Sequence, residues 1–197
     1  MARTQAADYE QRREAILDQA ARLYARRGFQ GASLSDLAAA CSTSKSLIYH
    51  YYSSKDDILF DVMRSHVEAL LTEAEAIAAE DGAPEDKLRR LSRAFLALYA
   101  GAAARHRVLL NELDQLTPER RALVVGMQRR LIDIVEAILG RIQPNAQAAV
   151  RRPTAMLFFG MINWTHTWLR PDGPVTPAEI ADLSTDIFLD GLKRTER

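Results

Sequence analysis

Two short amphipathic stretches, 34–40 and 45–51, lie on either side of Cys41-Ser42-Thr43, and nothing else in the sequence restricts the fold as much. Each is about two turns long, and an isolated helix of that length is unstable in water. Both therefore need a longer helix to cover their apolar faces, and one precedes them. Across 9–27, Ile16, Leu17, Ala20, Leu23 and Tyr24 recur at three- and four-residue spacing, and Gly28 stands where a left-handed residue ends a helix. Leu34, Leu37, Ala38, Leu47, Ile48 and Tyr52 are the expected core of this small unit. Gly31-Ala32-Ser33 is a tight connection, and Ser33 with Asp36 makes a capping box in which Asp replaces the usual Glu. Ser44 opens the second short helix.

The rest of the chain continues in the helical period. Ser54 caps a long helix through about 79, and further helices are expected at 85–101, 103–115, 118–141, 146–170 and 177–194. Gly101, Thr117-Pro118, the 140–144 segment and Pro171-Asp172-Gly173-Pro174 with Thr176-Pro177 separate them. Ala, Leu, Arg and Glu dominate, and the β-branched runs of strands are missing. The expected class is all-α with about nine helices, divided into residues 1–55 and 56–197.

With a single cysteine, Cys41, the chain has neither an internal disulfide nor a cysteine-rich metal site. The N-terminus lacks a signal-peptide pattern, and the longest uncharged stretch, 153–169, is shorter than the roughly 20 apolar residues of a membrane span. A cytoplasmic location is expected. The net charge of zero hides an asymmetry: up to Lys55 there are eight Lys/Arg against five Asp/Glu, giving +3, and the remainder carries −3. A basic unit on an acidic body hints at a polyanion partner.

Two short helices joined by three residues have the spacing of a helix-turn-helix, whose second helix enters the major groove of DNA. Lys45 and Ser46 sit at its start, where side chains reach base edges, and Leu47 suits a thymine methyl. Tyr49, His50 and Tyr51 are three consecutive rings too many for so small a core, and such groups commonly donate to phosphates. Lys55 and the amides at the start of the next helix offer a second phosphate site. Spacing alone also admits a plain three-helix bundle with half-buried tyrosines.

The run Ser33-Leu34-Ser35-Asp36-Leu37-Ala38, then Ser44-Lys45-Ser46-Leu47-Ile48-Tyr49-His50-Tyr51-Tyr52-Ser53-Ser54-Lys55-Asp56-Asp57-Ile58-Leu59, resembles the DNA-binding domain of TetR-family transcriptional regulators. The resemblance covers roughly residues 9–62. It implies that Lys45, Ser46, Leu47 and His50 face bases, that Ser33, Tyr49, Tyr51 and Lys55 hold phosphates, and that Ser44 belongs to the same surface. Tyr52 takes the place of a buried aromatic. Where the family commonly has Gly after Ala in the turn, this chain has Cys41-Ser42. Ser42 is then expected at positive φ at a cost of about 1 kcal/mol, with Cys41 as a small core residue.

The same resemblance implies a homodimer whose last two helices pair with the partner's, and a body holding an effector pocket. One two-turn helix reads few base pairs, so two heads about 34 Å apart on a palindromic operator supply the rest. Leu110-Asn111-Glu112-Leu113, Leu116-Thr117-Pro118-Glu119-Arg120 and the stretch from Gly160 to Gly173 resemble TetR-type repressors of fatty-acid, phenylacetate and steroid degradation, whose inducers are acyl-CoA thioesters. A thioester needs an apolar tunnel and cations for its phosphates. Phe95, Tyr99, Leu109, Leu113, Met127, Leu131, Phe158, Met161, Ile162 and Thr165 are the candidate lining, with Leu98 beside them. Arg105, Arg107, Arg120, Arg121, Arg129 and Arg130 are the candidate cations.

Both tryptophans fall in Met161-Ile162-Asn163-Trp164-Thr165-His166-Thr167-Trp168. On one helix Trp164 and Trp168 share a face about 40° apart. They are assigned to the dimer interface with Thr167, Ile180, Leu183 and Ile187, although a pocket wall or plain core fits the stretch too. No catalytic, metal or cofactor site is expected. None of His50, His66, His106 and His166 is followed by His four residues on or preceded by Glu three before. The glycines form neither G-x-G-x-x-G nor a P-loop. A DNA-binding protein of this fold controlled by a protein partner, or without effector, is the alternative, and an all-α enzyme a remote one.

Overall fold

The computed structural model of the chain describes residues 2–170 and 172–195. Among them are nine α-helices and no strand: α1 (Ala2–Arg27), α2 (Leu34–Ala40), α3 (Lys45–Tyr51), α4 (Lys55–Ala79), α5 (Pro84–Gly101), α6 (Ala103–Asn111), α7 (Pro118–Ile142), α8 (Ala148–Asn163) and α9 (Pro177–Thr195). Short 3-10 turns occupy Leu113–Gln115 and Trp164–Thr167. No helix among the described residues is long and apolar enough to cross a membrane. Two compact units result. The first runs to His66 and includes Ala104–Val124, and the second takes Val67–Ala103 and the chain from Val125 on.

In the first unit α2 packs on α1 and α3 on α2. Ile16, Leu17, Ala20 and Tyr24 of α1 are buried with Leu37, Ala38, Ile48 and Tyr52, while Leu34 and Leu47 are half-buried. Each short helix is held at its start by a side chain. The Ser33 hydroxyl accepts from the Asp36 amide at 3.1 Å, and Asp36 accepts from the Ser33 amide at 2.9 Å. Ser44 Oγ accepts from the Leu47 amide at 3.2 Å, and Ser54 Oγ from the Asp57 amide at 3.1 Å. Gly28 ends α1 at φ 73°, and a Cβ on Gly31 would press into the Arg27 carbonyl oxygen.

Ser42 takes the expected left-handed conformation, at φ 50°. The turn closes through Thr43 N donating to Ala38 O at 2.9 Å. Because serine is strained there, Ser42→Gly is expected to raise stability by about 0.5–1 kcal/mol. A urea midpoint that rises with unchanged slope checks this.

The second unit packs α5 against α9, with α8 on both. Phe95, Phe158, Phe159 and Phe188 form its aromatic centre, with Phe158 edge-on to Phe188 at 5.5 Å. Arg93 grips Asp182 with two bonds of 2.7 Å, tying the exposed sides of α5 and α9.

Three expected boundaries move. The first helix starts at Ala2 rather than at 9, and the 103–115 helix stops at Asn111 before its 3-10 turn. The 146–170 helix ends at Asn163. Thr165 Oγ1 donates to Ile162 O at 2.6 Å and Thr167 Oγ1 to Trp164 O at 2.8 Å, each reaching a carbonyl three residues back. Such side-chain bonds compete with the α-helical ladder and tighten the last turn to 3-10. Pro171, expected as a helix stop, lies outside the described residues.

Candidate nucleic-acid interface

Six of the seven residues of α3 carry the candidate surface. Ser44, Lys45, Ser46, Tyr49 and His50 are exposed, as is Ser33 at the start of α2, whereas Tyr51 and Lys55 are half-buried. Ile48, facing inward with no exposed surface, fixes the rotation of α3 and turns the others outward. Lys45 Nζ lies 5.8 Å from the Tyr49 ring centre, so the cation and the phenol share one side of the helix.

Three rings close the far end. Tyr51 stacks on Tyr9 of α1 with centroids 4.7 Å apart, and His50 meets Tyr51 edge-on at 5.2 Å. Leu47 lines a groove of about 340 Å³ with Arg12, Ile16, Gln19, Cys41 and Tyr51. Its side chain therefore serves the groove as well as the outer surface. Cys41 is half-buried in this groove rather than in the core, and burial pushes its thiol pKa up. Hydrogen bonds from Ser33 hold the Asp36 carboxyl below its usual range.

Lys55 has a job the sequence did not announce. Its ammonium donates to Phe29 O at 2.8 Å and Ala32 O at 3.0 Å and sits 4.0 Å from the Phe29 ring centre. Two of its three N–H groups clamp the connection between α1 and α2, and the third is not used by these bonds. The carbonyls it uses carry no sequence signal. Tyr9 was legible as the first residue of the expected helix. Its place seven residues before Ile16 puts it on the same stripe of α1.

Of the candidate pocket residues, Phe95, Tyr99, Leu131, Phe158, Ile162 and Thr165 are buried and Met127 and Met161 half-buried, all in the second unit. Phe95 stacks near Tyr99 at 6.3 Å, and the Tyr99 hydroxyl donates to Asn163 Oδ1 at 2.8 Å. Leu109 and Leu113 fall in the first unit instead. The arginines divide sharply. Arg105 is only 8% exposed and binds Glu14 at 2.5 Å, Asp18 at 2.8 Å and Ser65 at 3.1 Å, so it is a structural tie of the first unit and not an open phosphate cation. Arg120 is held by Asp57, Arg121 by Asp114 and Arg130 by Glu75. Arg107 and Arg129 are exposed.

The second unit also shows an apolar face. Leu157, Gly160, Met161, Trp164, Thr165, Trp168, Ile180, Leu183, Ser184 and Ile187 line one open groove. Leu157, Trp164, Trp168, Leu183 and Ile187 are all more than half exposed. The two tryptophans thus lie on one surface although they do not share a helix. Thr167 is exposed beside them, while Ile180 is buried.

Paired short helices under a covering helix, with a polar and aromatic outward face, define a helix-turn-helix DNA-binding regulator. Residues 16–62 match the model of bacterial regulatory proteins of the tetR family, and residues 81–192 match that of the tetracyclin repressor-like C-terminal domain. The chain belongs to the TetR family. A TetR-family transcriptional regulator from Bordetella parapertussis superposes with TM-score 0.86 at 37% identity, covering 90% of this chain and 94% of that one. AibR, solved in complex with isovaleryl coenzyme A and operator DNA, gives TM-score 0.78 at 29% identity, over 89% of this chain and 97% of its own. The HTH-type transcriptional repressor KstR2 of Rhodococcus jostii is 28% identical, over 92% of this chain and 91% of the repressor.

Proposed function

We propose that the chain is a homodimeric repressor that leaves a palindromic operator when a hydrophobic effector, an acyl-CoA thioester, binds its body. Residues 1–55 read DNA, and 56–197 carry the effector and dimer sites. The outward face of α3 supports the first part: Lys45, Ser46, Leu47 and His50 read bases, while Ser33, Ser44, Tyr49, Tyr51 and the remaining Lys55 donor hold phosphates. The exposed apolar face around Leu157, Trp164, Trp168, Leu183 and Ile187 supports the dimer, because a patch of that kind marks an interaction surface. The effector class rests on likeness to AibR, whose complex holds both a CoA thioester and operator DNA. A ligand acts only through its differential affinity for the DNA-competent and released states.

Electrophoretic mobility shift with the protein's own upstream region, with and without a panel of CoA thioesters, tests this reading. A shift abolished by one thioester class is expected. No shift at low salt with any neighbouring intergenic DNA would remove the DNA assignment, and a shift indifferent to every thioester would remove the effector alone. Within the surface, Tyr49→Ala is expected to weaken operator and unrelated DNA alike. Lys45→Ala is expected to cost about 1–3 kcal/mol on the operator and to relax base preference. Affinities for single-base operator variants separate the two.

A further inference from the structure

We propose that Tyr9 is a positioning residue of the DNA-reading surface, its ring bracing His50 and Tyr51 so that the imidazole is held ready for the groove. This rests on the reading that His50 and Tyr51 lie against DNA.

Three contacts carry it. Tyr9 stacks on Tyr51 at 4.7 Å with planes 31° apart, Tyr9 meets His50 edge-on at 6.2 Å, and His50 meets Tyr51 edge-on at 5.2 Å. The rings form a closed triangle, each touching the other two. Tyr9 is 38% exposed, so its ring adds little to the core. It continues the stripe of α1 on which Arg12, Ile16 and Gln19 line the groove with Thr43, Leu47 and Tyr51. The triangle therefore ties the last turn of α3 directly to α1.

That last turn needs a tie. α3 has only seven residues, its start is capped by Ser44, and past Tyr51 the backbone is already extended at Tyr52. A two-turn helix has almost no intrinsic stability, and its terminal turn frays first. An exposed imidazole there samples several rotamers, and binding would have to freeze them. Packing His50 against two rings restricts it during folding, so less entropy is lost when DNA arrives. Tyr9 acts through His50 and Tyr51 rather than by touching a base.

Fluorescence anisotropy tests this, using operator and scrambled duplexes over a range of salt concentrations. The variants are Tyr9→Phe, Tyr9→Ala, His50→Ala and the Tyr9→Ala/His50→Ala pair. Tyr9→Phe keeps the ring and is expected to bind as the parent does. Tyr9→Ala is expected to bind the operator about tenfold more weakly, with a smaller loss on scrambled DNA through Tyr51 and an unchanged salt slope. In the His50→Ala background the same change is expected to add little. Should Tyr9→Ala melt early, Tyr9→Leu keeps apolar bulk without the ring and is expected to show the same operator-selective loss.

Operator affinity unchanged in Tyr9→Ala would overturn the proposal, as would a full loss repeated in the His50→Ala background. A loss in Tyr9→Phe of equal size on operator and scrambled DNA also overturns it, since the phenol then contacts a phosphate itself. If the parent protein fails to distinguish operator from scrambled DNA, the DNA-reading assignment falls and the proposal with it.

Discussion

Leu157→Glu combined with Ile187→Glu is expected to leave a folded monomer that no longer binds its operator tightly. Leu157 is 67% exposed and Ile187 57%, so neither substitution removes core from the protomer, and helical circular dichroism should be unchanged. In the proposed dimer the same side chains are covered, and each contributes up to about 1.5–3 kcal/mol through burial. A carboxylate in their place is taken out of water unpaired, which costs several kcal/mol more. Two-fold symmetry counts each change twice. The dimer constant should weaken by at least ~10⁴. Operator binding follows, because separating the heads removes an effective-concentration gain of roughly 10²–10⁴. Sedimentation velocity and anisotropy read the two effects. A variant that stays dimeric would show that the pairing uses another surface.

Lowering the pH from 7 to 5 is expected to cost about 2 kcal/mol of folding free energy through His66 alone. His66 on α4 is 3% exposed, and its Nε2 lies 3.2 Å from Nδ1 of His106 on α6. Burial, helped by the positive charge of Arg105, pushes its pKa down from 6.5 to about 4. Between those values the unfolded chain binds a proton that the folded chain does not. Stability therefore rises with pH across this window, is fully present above 6.5 and is lost as pH falls toward 4. Urea melts at pH 7, 6 and 5 on the parent and on a His66 variant separate this imidazole from the other groups that titrate in the window. His66→Leu is expected to flatten that slope whatever it does to the absolute stability. A slope surviving in His66→Leu, or absent in the parent, would show that His66 is not the group responsible.

Much of the first unit was legible because its signals are local. Ser33, Ser44 and Ser54 cap helices through bonds to residues three positions on, and Gly28 and Ser42 take the left-handed conformations their places in the pattern require. The α8 boundary was less legible, because Thr165 and Thr167 read equally well as helix or as its end until their hydroxyls choose carbonyls three residues back. The same holds for Trp164 and Trp168. Their shared surface survives the shortened helix because Leu183 and Ile187 of α9 complete it.

Helical period, cap chemistry and the two short helices under a longer one are properties of neighbouring residues. They determined the all-α class and pointed to Lys45, Ser46, Tyr49 and His50 as exposed on α3, whereas Leu47 and Tyr51 are half-buried. The partners of the long cations are different in kind. Lys55 is spent on carbonyls 23 and 26 residues away, and Arg105 on a carboxylate 87 residues away. A flexible charged side chain takes whichever acceptor the fold brings within hydrogen-bond reach of it. Only the tertiary structure decided that these two hold the first unit together, and that Tyr9 meets the rings of α3.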